Sequence, residues 1–308
     1  MSPDVVVIGG ASWNTIVTLD RLPESRPHTI TALGHGQALG GTSAGKALHL
    51  AALGRHTTLV TVVSDDDDGR RIVSSLRADN LRTIAVHGGT ASEHHLNLMT
   101  PAGERLSIYL DHAPAFTMTP RLKREISREI HAAAMAAVDL SDVGLEWLDE
   151  ACHSAAQVVV DLHNYDGQNS FHEPFIAASD FVFMNDDAMT DPVPFLRRVV
   201  ERGALLGVCT LGARGAIGVC ADGTVVAVPA VPTTVVDTNG AGDAFAAGVI
   251  DFALASHVYS PLDAVSARRA LEAGALQAAV AVRSWGVGPG TMPLQALDIN
   301  DSVATNDS

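Results

Sequence analysis

The sequence predicts an α/β fold: a mostly parallel sheet with crossover helices, and a small second sheet standing off the main domain. Three observations carry this prediction. Short β-branched runs alternate with longer Ala/Leu-rich segments, which is the rhythm of strands joined by helices. The strand-like runs are apolar without alternation, as strands buried on both faces are. Two half-polar stretches, 16–39 and 94–110, break the rhythm and lead into no helix. They read as two insertions that pair into one sheet.

In chain order, the apolar runs place strands at 5–8, 57–63, 81–86, 158–161, 181–184, 204–209, 216–220 and 225–228. The turn Ala221-Asp222-Gly223 makes the last two a hairpin. Helical patterns occupy 43–53, 70–78, 120–131, 143–153, 192–201, 242–255 and 262–282. Thr119-Pro120 is a cap followed by a proline at the first helical position. The main domain therefore takes 1–15, 40–92 and 112–298, the second sheet takes 16–39 and 93–111, and the polar residues 299–308 form a flexible tail.

The 308 residues suffice for one large domain with a smaller appendage, and 47% apolar against 18% charged residues provides a substantial core. A formal net charge of −15 repels phosphate backbones, so nucleic acid is not an expected partner. Cys152, Cys209 and Cys220 show no C-x-x-C spacing, which speaks against a disulfide scaffold or a zinc site and for a reduced, cytoplasmic protein. The N-terminus carries no basic leader, and its apolar run 5–8 is too short for a signal or a membrane span.

Two glycine-rich stretches bear on chemistry. "GGTSAGKA" at 40–47 has the spacing of a phosphate-binding loop, G-x-x-x-x-G-K, but Ala47 stands where a magnesium-holding hydroxyl belongs. No buried apolar strand precedes it. Gly40 and Gly41 read instead as places where backbone approaches a substrate's hydroxyls. "DTNGAGDAF" at 237–245 follows an extended segment, 233–236, and opens an apolar helix. Small residues at 240–242 let helix N-terminal amides approach an anion. Asp243 stands in the first turn, where it can accept a hydroxyl proton. Those are the two parts that phosphoryl transfer to an alcohol requires.

"DTNGAGDAF" resembles the C-terminal signature of the ribokinase-like (PfkB) sugar and nucleoside kinases. "TLGARG" at 210–215 resembles the family's ATP-binding loop, Gly40-Gly41 its N-terminal signature, and 65–69 its turn after the next strand. The resemblance spans essentially the whole chain. It implies a three-layer α/β/α sandwich whose small β-sheet is a lid over the sugar. It also implies Asp243 as catalytic base, the amides of Gly240, Ala241 and Gly242 as anion hole, and Thr210, Gly212, Gly215 and Asn185 along the nucleotide. ATP and Mg2+ are the implied cosubstrates. Many members hold a monovalent cation, K+ here, near positions matching Asp237 and the carbonyl of Asn239; the matching C-terminal serine is Gly290. The family also implies a homodimer through the lid.

The chain departs from the family pattern at several positions. Asn14 replaces the acidic residue that grips sugar hydroxyls, keeping hydrogen bonds but no charge. The usual asparagine falls on Gly45, next to Lys46. That lysine suits an acidic or phosphorylated sugar if it faces the substrate, and is otherwise a solvated helix residue. The N-x-x-E motif lands on Asn185-Asp186-Asp187-Ala188, where Asp186 or Asp187 can serve magnesium through water. Asp161 and His163, after a central strand, either face the substrate or build a loop. The run 65–68 reads as a solvated turn.

The expected function is ATP-dependent phosphorylation of a hydroxyl on a small carbohydrate. A nucleoside kinase of the adenosine type is the near alternative, with Trp13 and Tyr109 available to stack a base. A nucleotide or sugar sensor on the same fold is the distant one.

Overall fold

A computed structural model describes residues 2–101, 103–256 and 261–289; Gly290 and the tail at 299–308 lie outside the described residues. The chain begins with β1 (Val5–Ile8), β2 (Ser12–Thr18), β3 (Gly34–Gly40), α1 (Thr42–Ala52) and β4 (Thr57–Val63). It continues through α2 (Asp67–Ser75), β5 (Leu81–His87), β6 (His94–Met99), β7 (Arg105–Asp111) and α3 (Pro120–Ala132). Next come β8 (Met135–Val138), α4 (Asp142–His153), β9 (Gln157–Asp161), α5 (Glu173–Ala178), β10 (Phe181–Asn185) and α6 (Val193–Glu201). The last elements are β11 (Leu206–Thr210), β12 (Ala216–Cys220), β13 (Val225–Val228), α7 (Ala241–Ala255) and α8 (Ala264–Ala281).

Nine strands form the main sheet in the order β13-β12-β11-β10-β9-β8-β1-β4-β5. It is parallel from β11 to β5, and β12 and β13 close one edge as an antiparallel hairpin. Because strand side chains alternate, β1 feeds both faces: Val5 and Val7 join the core under α1, α7 and α8, while Val6 and Ile8 join the core under α3, α4, α5 and α6. Burial on both sides is why these strands read as unbroken apolar runs. The result is an α/β/α sandwich with a second, four-stranded sheet in the order β3-β2-β6-β7.

Several expectations need correction. β8 was not foreseen: its Met-Ala-Ala-Val core carries one β-branched residue and continues an Ala-rich helix end, so local propensity favours helix. Position decides instead, since β8 lies between β1 and β9 with all four residues buried. α5 was also unforeseen, and in the extended segment 233–236 the Val236 N–H donates to the Val282 carbonyl at 2.7 Å. The second sheet takes more chain than expected, since β2 starts at Ser12 and β3 runs through Gly40. The run 65–68 is not merely a solvated turn. Asp66 caps α2 by accepting the Gly69 N–H at 2.7 Å, and it also accepts the Ser92 N–H at 2.8 Å.

Candidate active site

The site lies at the carboxyl edge of the parallel sheet, where open α/β folds bind ligands. Four adjacent strands end there on polar residues: Asp139 follows β8, Asp161 closes β9, Asn185 closes β10 and Thr210 closes β11. Neighbouring strands lie about 4.8 Å apart, so this row spans roughly 15 Å.

Lys46 joins the row to α7. It projects from α1, is 1% exposed, and places its Nζ 2.8 Å from Asp243 Oδ1, 3.1 Å from Asp139 Oδ1 and 3.2 Å from Asp161 Oδ2. The ammonium thus donates to Asp243 and stands at ion-pair distance from Asp139 and Asp161. Lys46 is no solvated helix residue, and it presents no free charge to an acidic or phosphorylated sugar. Burial alone would favour the neutral amine, but Asp139, Asp243 and Asp161 together hold the group well above the ordinary lysine range.

One ammonium cannot offset three buried carboxylates, and their other partners decide which of them bears the excess. Asp139 accepts from the hydroxyls of Thr42, at 2.9 Å, and Ser43. Asp161 accepts the His163 N–H at 3.0 Å; although burial pushes its carboxyl up, His163 and Lys46 bring it down to about 2. His163 adopts a left-handed φ of 52° to make that turn, so it builds the loop. Asp243 has only Lys46 among the described residues, and burial drives it up to about 6 against the pull of Lys46, with Asp161 adding to the rise.

Gly240, just before α7, has a left-handed φ of 73° that turns the chain into the helix; no side chain caps this end. A Cβ added at Gly242 would meet nothing within 4 Å, so open space adjoins the amide-rich, electropositive helix start. The preceding loop is held internally. Asp237, 2% exposed, accepts the Asn239 N–H at 2.9 Å, the Asn239 side-chain amide at 2.8 Å and the Gly286 N–H at 3.0 Å. Arg105 of β7 donates to Asn239 Oδ1 at 2.9 Å. N–H donors are therefore the partners of the Asp237 carboxylate, and Arg105 holds the Asn239 side chain.

The second sheet turns one face toward this loop. By register, Asn14, Ile16, Asn97 and Met99 share that face, and the Asn239 amide reaches Met99 Sδ at 3.0 Å. Asn14 is fixed by the Ser12 hydroxyl at 2.8 Å. Asn97 is 4% exposed, and its Oδ1 is buried with no partner among the described residues, a costly state unless a ligand donates to it. Gly40 and Gly41 serve the protein's own packing. A Cβ at Gly40 would lie 2.1 Å from the Asn14 amide, and one at Gly41 would lie 2.5 Å from the Gly10 carbonyl.

At the other end of the row, Thr210 pairs in register with Asn185. Gly212 and Gly215 both take positive φ, 57° and 98°, in the turn after β11; a Cβ at Gly212 would meet open space, while Gly215 closes against the Val228 carbonyl. Asp186 pairs with Arg214, and Asp187 is exposed, its N–H donating to Asn185 Oδ1 at 3.1 Å. A magnesium ion held largely by phosphates and water needs only one or two carboxylates, and Asp187 is free to be one.

Sequence reasoning missed Asp139, Asn97 and Arg105. Asp139 carried a usable signal, a polar residue closing an apolar run, but that run was Ala-rich and went unread as a strand. Asn97 and Arg105 gave none, because their importance depends on which face of the second sheet turns inward.

Phosphoryl transfer to an alcohol needs a proton acceptor and an anion-holding group within about one helical turn, and the start of α7 can supply both; the class is a phosphotransferase with an alcohol acceptor. The chain belongs to the pfkB family of carbohydrate kinases, whose description matches residues 2–293. It is 31% identical over 258 residues to the acarbose 7(IV)-phosphotransferase of Actinoplanes sp., covering 80% of this chain and 84% of that one. It is 26% identical over 245 residues to the ribokinase of Bacillus subtilis, covering 79% and 83%. Among solved structures, a microbiome-derived acarbose kinase superimposes with a TM-score of 0.78 at 28% identity, covering 93% of this chain and 94% of that one. The protein is an ATP-dependent carbohydrate kinase.

Proposed function

We propose that the acceptor is an uncharged sugar, that Asp243 is the general base, and that the amides of Gly240, Ala241 and Gly242 form the anion hole. The observation that carries this reading is Asp243 itself. It is buried, burial pushes its carboxyl up to about 6, and it stands in the first turn of a helix whose N-terminus has no side-chain cap. Bound ATP with magnesium supplies the phosphoryl group. The sugar oxygen gives its proton to the Asp243 carboxylate as it bonds to phosphorus, the bond to the departing ADP oxygen breaks, and the amides hold charge on the transferred group. Thr210, Gly212, Gly215 and Asn185 line the nucleotide, with Asp187 reaching magnesium through water. Asn14 and Asn97 take sugar hydroxyls from the lid side. No step runs through a monovalent cation at Asp237.

Three carboxylates against one ammonium disfavour further negative charge in the acceptor pocket, hence the uncharged sugar. A nucleoside acceptor is less well served. Trp13 is 8% exposed within the core and cannot sandwich a base; Tyr109 is 54% exposed, tilted against His95 and stacked on His112. Cytoplasmic ATP sets the compartment, and no helix among the described residues is long and apolar enough to cross a membrane. We also propose that two copies pair through the lid sheet.

The test is an ADP-release screen over neutral sugars including acarbose, sugar acids, sugar phosphates and nucleosides. Neutral sugars should lead. With the best acceptor, Asp243→Asn should cut kcat by roughly 10²–10⁴, the usual worth of a general base. Turnover close to wild type in that variant would remove Asp243 from the mechanism.

A further inference from the structure

Gly45 and Lys46 of α1 stand against the carboxyl of Asp243. Asp243 offers two oxygens, and they differ. Oδ1 accepts from Lys46 Nζ at 2.8 Å, while Oδ2 has no donor among the described residues. A Cβ added at Gly45 would stand 3.0 Å from that Oδ2 and 3.1 Å from Asp243 Cβ. Glycine there keeps the free oxygen clear, whereas any side chain would press on it. Lys46 cannot wander, because Asp139 and Asp161 fix its ammonium from two neighbouring strands and the side chain is 1% exposed. Asp139 is itself held by Thr42 and Ser43 of the same helix, α1.

We propose that Lys46 is the positioning residue of the catalytic base: its ammonium, locked by Asp139 and Asp161, pins Oδ1 of Asp243 and leaves Oδ2, beside Gly45, as the oxygen that takes the acceptor's proton. This deepens the assignment of Asp243 as base and rests on it. The charged groups bearing on Asp243 are Lys46 from α1, Asp139 after β8, Asp161 at the end of β9, and His163 behind Asp161 at 3.4 Å. Lys46 is the cation in direct contact with the base, so its loss leaves the carboxylate facing two others of like charge. The carboxyl must then hold its proton to higher pH, and the base is protonated where the wild type is already active. Lys46 touches neither the hydroxyl nor the phosphoryl group in this arrangement and acts through Asp243.

The experiment compares wild type, Lys46→Met, and the charge-balanced double variant Lys46→Met/Asp139→Asn. The double variant removes one charge of each sign in case the single one does not fold. Two readouts are taken for each: the pH dependence of kcat with the best acceptor from the screen, and an infrared titration of the protonated carboxyl band with Asp243→Asn as the blank. In Lys46→Met the Asp243 band should titrate about 1–3 pH units higher, the range for losing a contacting opposite charge. The acid limb of kcat should move up with it. A stabilising role alone would lower the melting temperature and leave the limb in place. An unmoved band overturns the pairing, and a band that moves while the limb stays put overturns the role in positioning. If Asp243→Asn itself stays active, the general-base assignment fails separately, and this proposal fails with it.

Discussion

With Asp243 as the proposed base, the balance between burial and one ammonium would set the working pH. Burial lifts the carboxyl to about 6, and a base works only when ionised, so kcat/KM should rise with pH through about 6 and fall about tenfold per pH unit below it. ADP release measured across that range checks this; a flat profile down to pH 5 would contradict it. Asn97 gives the complementary case, a buried acceptor with nothing to accept. Replacing such an orphan by an apolar side chain of similar shape is neutral or stabilising in the free protein. Asn97→Leu should therefore keep or raise the melting temperature while raising KM for the sugar about tenfold, the equivalent of one lost hydrogen bond of ~1.4 kcal/mol. An unchanged KM would remove Asn97 from the sugar site.

Among the elements, α7 and α8 approach most closely where glycine replaces side chain. A Cβ at Gly248 would lie 2.6 Å from the Ala273 carbonyl, and one at Gly274 would lie 2.9 Å from the Phe245 ring. Alanine is the better helix former by ~1 kcal/mol, but overpacking costs ~1–3 kcal/mol, so Gly248→Ala should lower the melting temperature by several degrees. It would also shift the helix that carries Asp243, and a thermal melt beside a kcat measurement would show both. The elements differ in how readily the sequence discloses them. β1 and β4 are legible because Val and Ile runs buried on both faces have no other reading. β8 is not, because alanine carries no strand signal and only its neighbours make it a strand. The site divides in the same way. Asp243, Thr210 and the 240–242 turn announce themselves because a backbone must turn and a helix must start there. Lys46 was legible as unusual, yet its burial was not, since nothing local shows that Asp139 and Asp161 end adjacent strands beneath it.

At the scale of the whole molecule, the second sheet carries an apolar face that the described residues leave uncovered. On the side of the lid turned away from the 237–239 loop, register brings Val17, Leu96 and Leu98 into one patch, and Leu106 and Ile108 of β7 extend it at 43% and 40% exposure. β7 is also an edge strand, exposed along its whole length, and a bare apolar edge is a surface that proteins cover. A chain with net charge −15 repels its own copies in general, but the patch of Val17, Leu96, Leu98, Leu106 and Ile108 carries no charge of its own. A second copy pairing lid to lid would bury this face and stiffen the sheet that carries Asn14, Asn97 and Arg105. Light scattering after gel filtration should then give twice the chain's mass, and Leu106→Lys/Ile108→Lys should give the monomer. Because the lid reaches the 237–239 loop through Arg105, loosening it should raise KM for sugar more than it lowers kcat. A wild-type monomer at micromolar concentration would show that the face is covered by something other than a second copy.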